Sequence, residues 1–576
     1  MTSTGGGAAR SPLEYELVLC CARAHLNPER AARVKALLKQ DVDWPLLVGT
    51  AVDQGVGPLL YLHLNAICPE AVPQSWLDYL RGRFENTARR NLHLTAQLLR
   101  ILEVCEANGI LAIPYKGPVL AALAYGSLAL REFVDLDLVV RHRDLPKVRE
   151  LLISGGYCEG AAGKALRQNS PSLVPGQYVF VGGNGRDLVE VHTERTLRYF
   201  PTPLDLDRFE QRLERVSLGA QQVLTFSLED QLLVLCVHGA KDFWNRLRWI
   251  CDIAEVTQLP RGVDWGKVHE RARRMGAERM LDLGLHLANN LLGARLPDEV
   301  SRRVQQDAAV NRLAAFVRSQ LFRAPGAQPD VVERSLFRFR TRGNPWDGLW
   351  YSLRLAMTPT EQDWLWVSLP AFLSPLYYAV RPVRLLRKYG TGLVRRPTPY
   401  LGPFVPTPPA VVERMLALGE VGANDVLYDL GCGDGRIVVT AAERFGIRCV
   451  GVDVDPLRIA EAKANARRRG VEHLVRFMRQ DAVTVDLSEA TVVTLYLTPL
   501  GNIKLQRRLA EQLRPGARIV SHDFQMPSWL PEKKEKVEIP GAVGATLYLW
   551  RISAALEQPS RNVLFAGAAG AQGPLV

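Results

Sequence analysis

The residues best suited to chemistry in this 576-residue chain lie in two runs, each with carboxylates placed at strand ends or strand spacing. One is VLYDLGCGDGRIV, Val426 to Val438, followed by RCVGVDVDP, which closes on Asp453. It reads as a buried strand ending at Asp429, a tight glycine turn, a helix, and a second strand with a terminal acid. That order forms the nucleotide-cofactor half of a doubly wound sheet. Its glycines admit a ligand close to the backbone, and the second strand's acid can bind two ribose hydroxyls. The turn is Gly431-Cys432-Gly433-Asp434-Gly435 and not GxGxxG. Its extra acid suits a cationic, phosphate-free ligand, and S-adenosylmethionine is such a ligand.

The other run is FVDLDLVV, in which strand alternation puts Asp135 and Asp137 on one face. Two like charges so placed are costly unless a divalent cation sits between them, the arrangement that holds magnesium triphosphate in nucleotide-transferring enzymes. A third acid from a neighbouring strand is expected, and Glu190 in DLVEVHTE fits. Lys116-Gly117 follows a strand and Gly126-Ser127 follows a helix; either glycine turn can cradle phosphate, with Arg131 or Lys116 as its charge partner. A lone DxD is equally well a solvated strand end, but the glycine turns and Glu190 favour a metal. His238 reads as a satisfied core histidine.

These residues need elements to position them. Residues 1–95 read as amphipathic helices, for example LEYELVLCCARAHL and PERAARVKALLKQ. Residues 96–215 change to strand, helix and strand (LAIPYKG, PVLAALAYG, FVDLDLVV), then the helix LPKVRELLISGG. A hairpin-like pair follows, QYVFVGG and RDLVEVHTE, joined around Gly182-Gly183-Asn184-Gly185. Residues 216–394 are a helical extension and linker, helical from Leu228 to about Gly293, with Ala324 to Trp350 arginine-rich and poorly patterned. Pro397, Pro399, Pro403, Pro406, Pro408 and Pro409 make a stiff lead into a second module over 395–556, and 557–576 read as a disordered tail. In that module VLYDLG, CVGVDV, VRFMRQD and ATVVTLYL alternate with helices, and ARIVSHDF and GATLYLWRI follow. The pattern predicts a parallel α/β sheet with an antiparallel end. Asp429, Asp453, Asp481 and Tyr496 each end a strand, where such sheets bind ligands; capping the next helix is the competing reading for an acid there, above all for Asp455.

Composition bounds the rest. Length implies two or three domains. With 47% hydrophobic and 23% charged residues the chain is an ordinary globular protein, and its net charge of +12 permits an acidic partner without selecting one. Nine scattered cysteines with no CxxC pair imply a reducing cytoplasm, and no secretion signal is visible. Trp364 to Val380 is short for a membrane span and holds two prolines, so a buried or membrane-surface helix pair is expected there, with possible peripheral membrane contact.

The stretch from about Phe404 to Trp550 resembles class I S-adenosylmethionine-dependent methyltransferases. More narrowly, FVPTPPAVVERML, DLGCGDGRIV, ATVVTLYL and RIVSHDF resemble the small seven-strand family that includes the ATP-synthase c-subunit lysine methyltransferases. The resemblance implies that Asp429, Gly431 and Gly433 bind the methionine part of the cofactor, Asp453 the ribose and Asp481 the adenine region. Phe404, Pro406 and Thr407 match the lead-in segment and Tyr496 the acceptor side, with a protein lysine as acceptor. Tyr496-Leu497-Thr498-Pro499 stands where amino-methylating DNA enzymes carry an Asn-Pro-Pro-Tyr type turn, so DNA methylation is disfavoured. His522 and Asp523 lie where they can help the acceptor, or can serve packing and capping. YKGPVLAALAYGSLALREFVDLDLVV, with LLVLCVHGAKDFWNRLRWICDIAEV downstream, resembles an uncharacterised bacterial nucleotidyltransferase branch of the DNA-polymerase-β-like superfamily. This implies Asp135, Asp137 and Glu190 as metal and catalytic residues for Mg2+ and a nucleoside triphosphate, and Lys116, Gly117, Gly126, Ser127 and Arg131 on the nucleotide. Two features depart from that pattern: a short gap from Gly126-Ser127 to Asp135, and glutamate as third acid.

The expected fold is thus an α/β two-domain chain: an N-terminal α+β nucleotidyltransferase-like domain with helical additions and a C-terminal doubly wound, seven-strand Rossmann-like methyltransferase. Three functional readings follow. In one, both modules are active. In another, the methyltransferase acts while its N-terminal module only binds a nucleotide or partner. In the third, the chain is a non-catalytic membrane-surface scaffold.

Overall fold

The computed structural model describes residues 13–159, 177–182, 187–193, 206–322, 331–359, 363, 366–367, 369–389, 406–526, 529–539 and 542–553. Phe404, the tail 557–576 and part of Trp364–Val380 lie outside them. The chain divides near residue 397 into two compact units.

In the N-terminal unit, five strands form one sheet: β1 (Ile113–Pro114), β2 (Asp135–Val139), β3 (Tyr157–Glu159), β4 (Gln177–Gly182) and β5 (Leu188–His192). Their order is β1-β2-β5-β4-β3, with β2 and β5 the parallel pair. Alternation gives the sheet two faces of different character. Leu136, Leu138, Tyr178, Phe180, Val189 and Val191 are buried together with Leu94, Leu98 and Ile101 of the 34-residue helix Gln74–Ala107. The opposite face carries Asp135, Asp137, Glu190 and His192, and the register pairs Asp137 with Glu190 across β2 and β5. Burying one face thus fixes the carboxylates on the other, because a slip of one residue would exchange the two sets. The helices Leu228–Lys241, Leu247–Val256 and Glu278–Leu292 pack around the fully buried Trp244.

Two features of this unit differ from the sequence reading. A hairpin, β6 (Glu214–Leu218) and β7 (Gln221–Thr225), turns at Gly219 with φ +66°. Its exposed charged and glutamine residues masked the strand pattern. The stretch expected to be poorly patterned holds the helices Val331–Arg340 and Pro345–Met357. The second of these turns Trp346, Leu349, Trp350 and Leu353 outward, so its apolar stripe does not point at a core.

The C-terminal unit is a seven-stranded sheet: β8 (Val426–Leu430), β9 (Arg448–Asp453), β10 (Val475–Arg479), β11 (Val492–Leu495), β12 (Arg518–His522), β13 (Lys533–Ile539) and β14 (Ala542–Arg551). The order is β10-β9-β8-β11-β12-β14-β13. β8 to β12 run parallel and β14 pairs antiparallel with β12, the doubly wound arrangement with an antiparallel end. Strand order reverses at β8, and the carboxyl ends of β8 and β11 at such a switch point are the place where ligands bind in these sheets. β13, KKEKVEI, was not expected; it is an edge strand whose lysines and glutamates suit an exposed sheet border. Apolar clusters cover both faces of the sheet.

Candidate functional site

In the C-terminal unit the glycine turn after β8 uses left-handed backbone at Gly431 (φ +88°), Gly433 (φ +53°) and Gly435 (φ +76°). Gly433 N–H donates to Asp453 Oδ2 at 2.9 Å, while Asp453 Oδ1 accepts from Asp455 N–H at 2.9 Å. These two bonds lock the acid at the end of β9 against the turn. Asp455 itself caps the helix Pro456–Arg468, accepting from Leu457 N–H, as the capping reading anticipated. Asp481 likewise accepts from Val483 N–H at 3.1 Å, on a half-buried loop beyond β10.

Asp429 sits 2% exposed at the end of β8. Its Oδ1 accepts a hydrogen bond from Thr494 Oγ1 at 2.8 Å, and no cation pairs with it among the described residues. Burial, reinforced by the nearby Asp453 and Asp434, pushes its pKa up to about 7. A buried carboxylate without a cation is a poor structural element and a good receptor for a positively charged ligand. Asp434 is neutralised by Arg436, whose Nη1 also donates to Thr407 C=O at 2.8 Å and so ties the lead-in segment to the turn. Thr407 is buried and Pro406 is half-buried.

Beyond β11, Tyr496 lies over His522 with ring centroids 3.8 Å apart, and Phe524 is 6.2 Å away. His522 is fully buried, with Nδ1 3.4 Å from Thr407 Oγ1 and Nε2 3.5 Å from Asp523. Asp523 has φ +60°, uncommon for a residue other than glycine, and its carboxylate accepts from Thr546 N–H. The donor set suits an adenosyl sulfonium: an acid for the amino end, glycines for close approach and a tethered acid for the ribose. Asp429, Gly431, Gly433, Asp453, Asp481, Thr407 and Tyr496 all fall at the carboxyl ends of the parallel strands or in their lead-in.

The N-terminal unit contains a cavity of about 270 Å³ over the acidic sheet face. Asp135, Asp137, Glu190, Lys116, Gly117 and Arg131 line it. Gly126 and Ser127 do not; they end the helix Gly117–Tyr125 away from its lining, and Gly126 is a left-handed cap. Lys116 Nζ lies 3.2 Å from Asp137 Oδ1, and His192 Nε2 lies 3.0 Å from that oxygen. Burial alone would raise the Asp137 pKa, but Lys116 and His192 hold it well below the carboxylate range. Burial and mutual repulsion instead raise Asp135 and Glu190. The cluster is therefore short of positive charge, which fits a divalent cation.

Arg131 is committed elsewhere within this wall. Its guanidinium makes two bonds to Asp252, at 2.7 and 2.9 Å, and Tyr125 Oη donates to the same carboxylate at 2.8 Å. The phosphate role expected of Arg131 thus competes with a buried bidentate pair. His238 lines the cavity and packs edge-on against Trp249; burial, then Lys116 and Lys241, push its pKa well down. Residues the sequence reading left unassigned also reach the cavity: His192, Lys241 and Arg248. His192 had a visible signal, since alternation places it on the same face as Glu190.

With the geometry in view, comparison with known proteins gives two matches along the chain. Residues 40–293 match the family described as an uncharacterised nucleotidyltransferase, and residues 429–533 match the ANTKMT methyltransferase domain. A protein-lysine N-methyltransferase of Saccharolobus islandicus is 45% identical over 151 residues, covering 26% of this chain and 93% of that protein. The ATP-synthase c-subunit lysine N-methyltransferase of Xenopus laevis is 31% identical over 130 residues, 23% of this chain and 57% of that protein. The crystal structure of an RNA methyltransferase from Salinibacter ruber with S-adenosyl-L-homocysteine is 50% identical, covers 27% of this chain and 97% of that one, and has a TM-score of 0.25.

Proposed function

Because this chain belongs to the lysine-methyltransferase family of those relatives, with an ANTKMT methyltransferase domain behind a nucleotidyltransferase-family domain, we propose that it methylates a lysine amine of a protein. The enzyme is an S-adenosylmethionine-dependent methyltransferase, and the proposal concerns its acceptor and the residues that serve it. The observation that carries the site assignment is Asp429: buried, raised to about 7 and without a cation partner among the described residues, beside a turn whose Gly433 N–H anchors Asp453.

Bound S-adenosylmethionine supplies a methyl group already activated on a sulfonium, so little covalent chemistry is asked of the protein. We assign Asp429, Gly431 and Gly433 to the methionine end, Asp453 to the ribose and Asp481 to the adenine region. Pro406 and Thr407 are assigned to the lead-in beside the turn, where Arg436 holds Thr407, and Phe404 is assigned to the same segment from the sequence alone. Tyr496, its ring tilted over that of His522, is assigned to the acceptor side. A lysine amine must arrive neutral and in line; desolvation by Tyr496 and Phe524, and the His522–Asp523 pair as acceptor of its proton, serve the first need. The test is incubation of the purified chain with methyl-labelled donor and a cell lysate. Methyl-lysine in a protein, absent with Asp453→Ala, is the expected result; label in nucleic acid would refute the acceptor class.

For the N-terminal unit we propose a nucleoside triphosphate bound with a divalent cation on Asp135, Asp137 and Glu190, with Lys116 and Gly117 at the phosphates and Gly126, Ser127 and Arg131 supporting from the segment that follows the helix Gly117–Tyr125. Calorimetry tests it: metal-dependent triphosphate binding, lost in Asp135→Ala, is expected. No triphosphate binding would leave a unit that only engages a partner.

A separate observation favours peripheral membrane contact. Trp346 (69% exposed), Leu349 (52%), Trp350 (67%) and Leu353 (48%) form one outward stripe on the helix Pro345–Met357, with exposed Arg354 beside it. Exposed tryptophan next to arginine is the chemistry of a bilayer interface. No helix among the described residues is long and apolar enough to cross a membrane. Co-sedimentation with vesicles containing phosphatidylserine, lost in Trp346→Ala/Trp350→Ala, is the measurement.

A further inference from the structure

Three carboxylates on β2 and β5 would select a hard cation, but the side chains that converge are a different three. One ligand atom each of Asp137, Glu190 and His192 lies within 4.8 Å of the others, and Asp135 is not among them. The backbone explains this grouping. Parallel register sets Asp137 beside Glu190, and His192 follows Glu190 on the same face, one pleat further along β5. His192 Nε2 is 3.0 Å from Asp137 Oδ1 and 3.6 Å from Glu190 Oε2. All three line the 270 Å³ cavity.

We propose that Asp137, Glu190 and His192 bind a first-row transition-metal dication of the Mn2+ type in preference to Mg2+. The inference deepens the cation reading of this cavity and rests on it. Mg2+ takes oxygen ligands in a near-ideal octahedron and gives up water reluctantly. An imidazole nitrogen among two carboxylates instead suits the softer dications of the first row, with Mn2+ the one most tolerant of oxygen. Three ligands on one side leave the cavity-facing positions open for water or for oxygens of an anionic co-ligand. The cavity's lining also provides for such an anion. Arg248 lines the same cavity, and its Nε is buried with no hydrogen-bond partner among the described residues. Lys116, whose ammonium now compensates Asp137 at 3.2 Å, is displaced by the metal and becomes a second cation for that anion. Two negative carboxylates and a neutral imidazole then balance the dication, with the imidazole proton on Nδ1.

The test uses the full chain, stripped of metal and titrated with Mn2+. Electron paramagnetic resonance counts bound ions, and its pulsed form detects nitrogen-14 on the metal. One Mn2+ per chain with imidazole nitrogen coupling is expected, displaced by Mg2+ only at more than about tenfold excess. The His192→Gln variant should lose the nitrogen signal and at least about tenfold in Mn2+ affinity, while His238→Gln keeps both. An unchanged circular-dichroism spectrum and unfolding transition of the N-terminal unit serve as the check that each variant is intact, since the S-adenosylmethionine site lies in the other unit. Absence of nitrogen coupling in the unmodified chain, or displacement by equimolar Mg2+, overturns the inference and leaves the magnesium reading standing. Failure to bind either cation, with or without a triphosphate, overturns both.

Discussion

Asp429 offers the sharpest physical test because its environment makes opposite demands on stability and on binding. A carboxyl group with an unfolded pKa near 3.8 and a folded value of about 7 binds more protons when folded throughout that interval. Stability therefore falls as pH rises from about 4 to about 7, and the full penalty remains above 7. A shift of about three units corresponds to about 4 kcal/mol at pH 8, against about 2 kcal/mol at pH 5. Asp429→Asn keeps the shape and can keep the Thr494 hydrogen bond, but removes the titration. Any cost of the amide itself does not depend on pH. From pH 5 to pH 8 the unmodified C-terminal unit should thus lose about 2 to 3 kcal/mol relative to the variant. Hydrogen exchange of peptides spanning 426–453, compared between the two proteins at each pH, isolates this difference. Ligand binding should move the other way: affinity for S-adenosylmethionine rises with pH up to about 7 in the unmodified chain and is flat in Asp429→Asn. Superimposable pH dependences for the two proteins would refute the claim that a buried, uncompensated carboxylate is the receptor for the cationic ligand.

Gly433→Val forces a branched side chain into left-handed backbone at φ +53° and into the ligand's approach path. Calorimetry should find no S-adenosylmethionine binding, and wild-type affinity would contradict the placement. Asp252→Ala strands the buried Arg131 guanidinium and removes the Tyr125 partner, so the N-terminal unit should lose about 3 to 5 kcal/mol, read by denaturant unfolding. Arg436→Ala frees the lead-in segment at Thr407 and leaves Asp434 uncompensated in the turn; S-adenosylmethionine affinity should fall about tenfold, by calorimetry, with the fold retained.

The C-terminal sheet was legible because its strands are continuous apolar runs ended by an acid or a tyrosine, each the signature of a strand buried on both faces. β13 was not, since its lysines and glutamates satisfy an exposed edge and leave only Val537 and Ile539 as apolar signal. In the N-terminal unit Asp135, Asp137 and Glu190 were readable from alternation. The Arg131–Asp252 pair was not, because its partners stand 121 residues apart and only the tertiary fold joins them. Alternation already sets His192 on the same face as Glu190, but its nearness to Asp137 follows only from the register of β2 and β5. The helix Pro345–Met357 escaped because its apolar stripe faces outward, against the assumption that such stripes mark a core.

We propose that an adenosyl sulfonium binds beyond the carboxyl ends of β8 and β11, and titration of the full chain with S-adenosylmethionine measures this directly. One ligand per chain, with binding abolished by Asp453→Ala, is the predicted result. No binding to the unmodified chain, or equal binding to the Asp453→Ala variant, would contradict it.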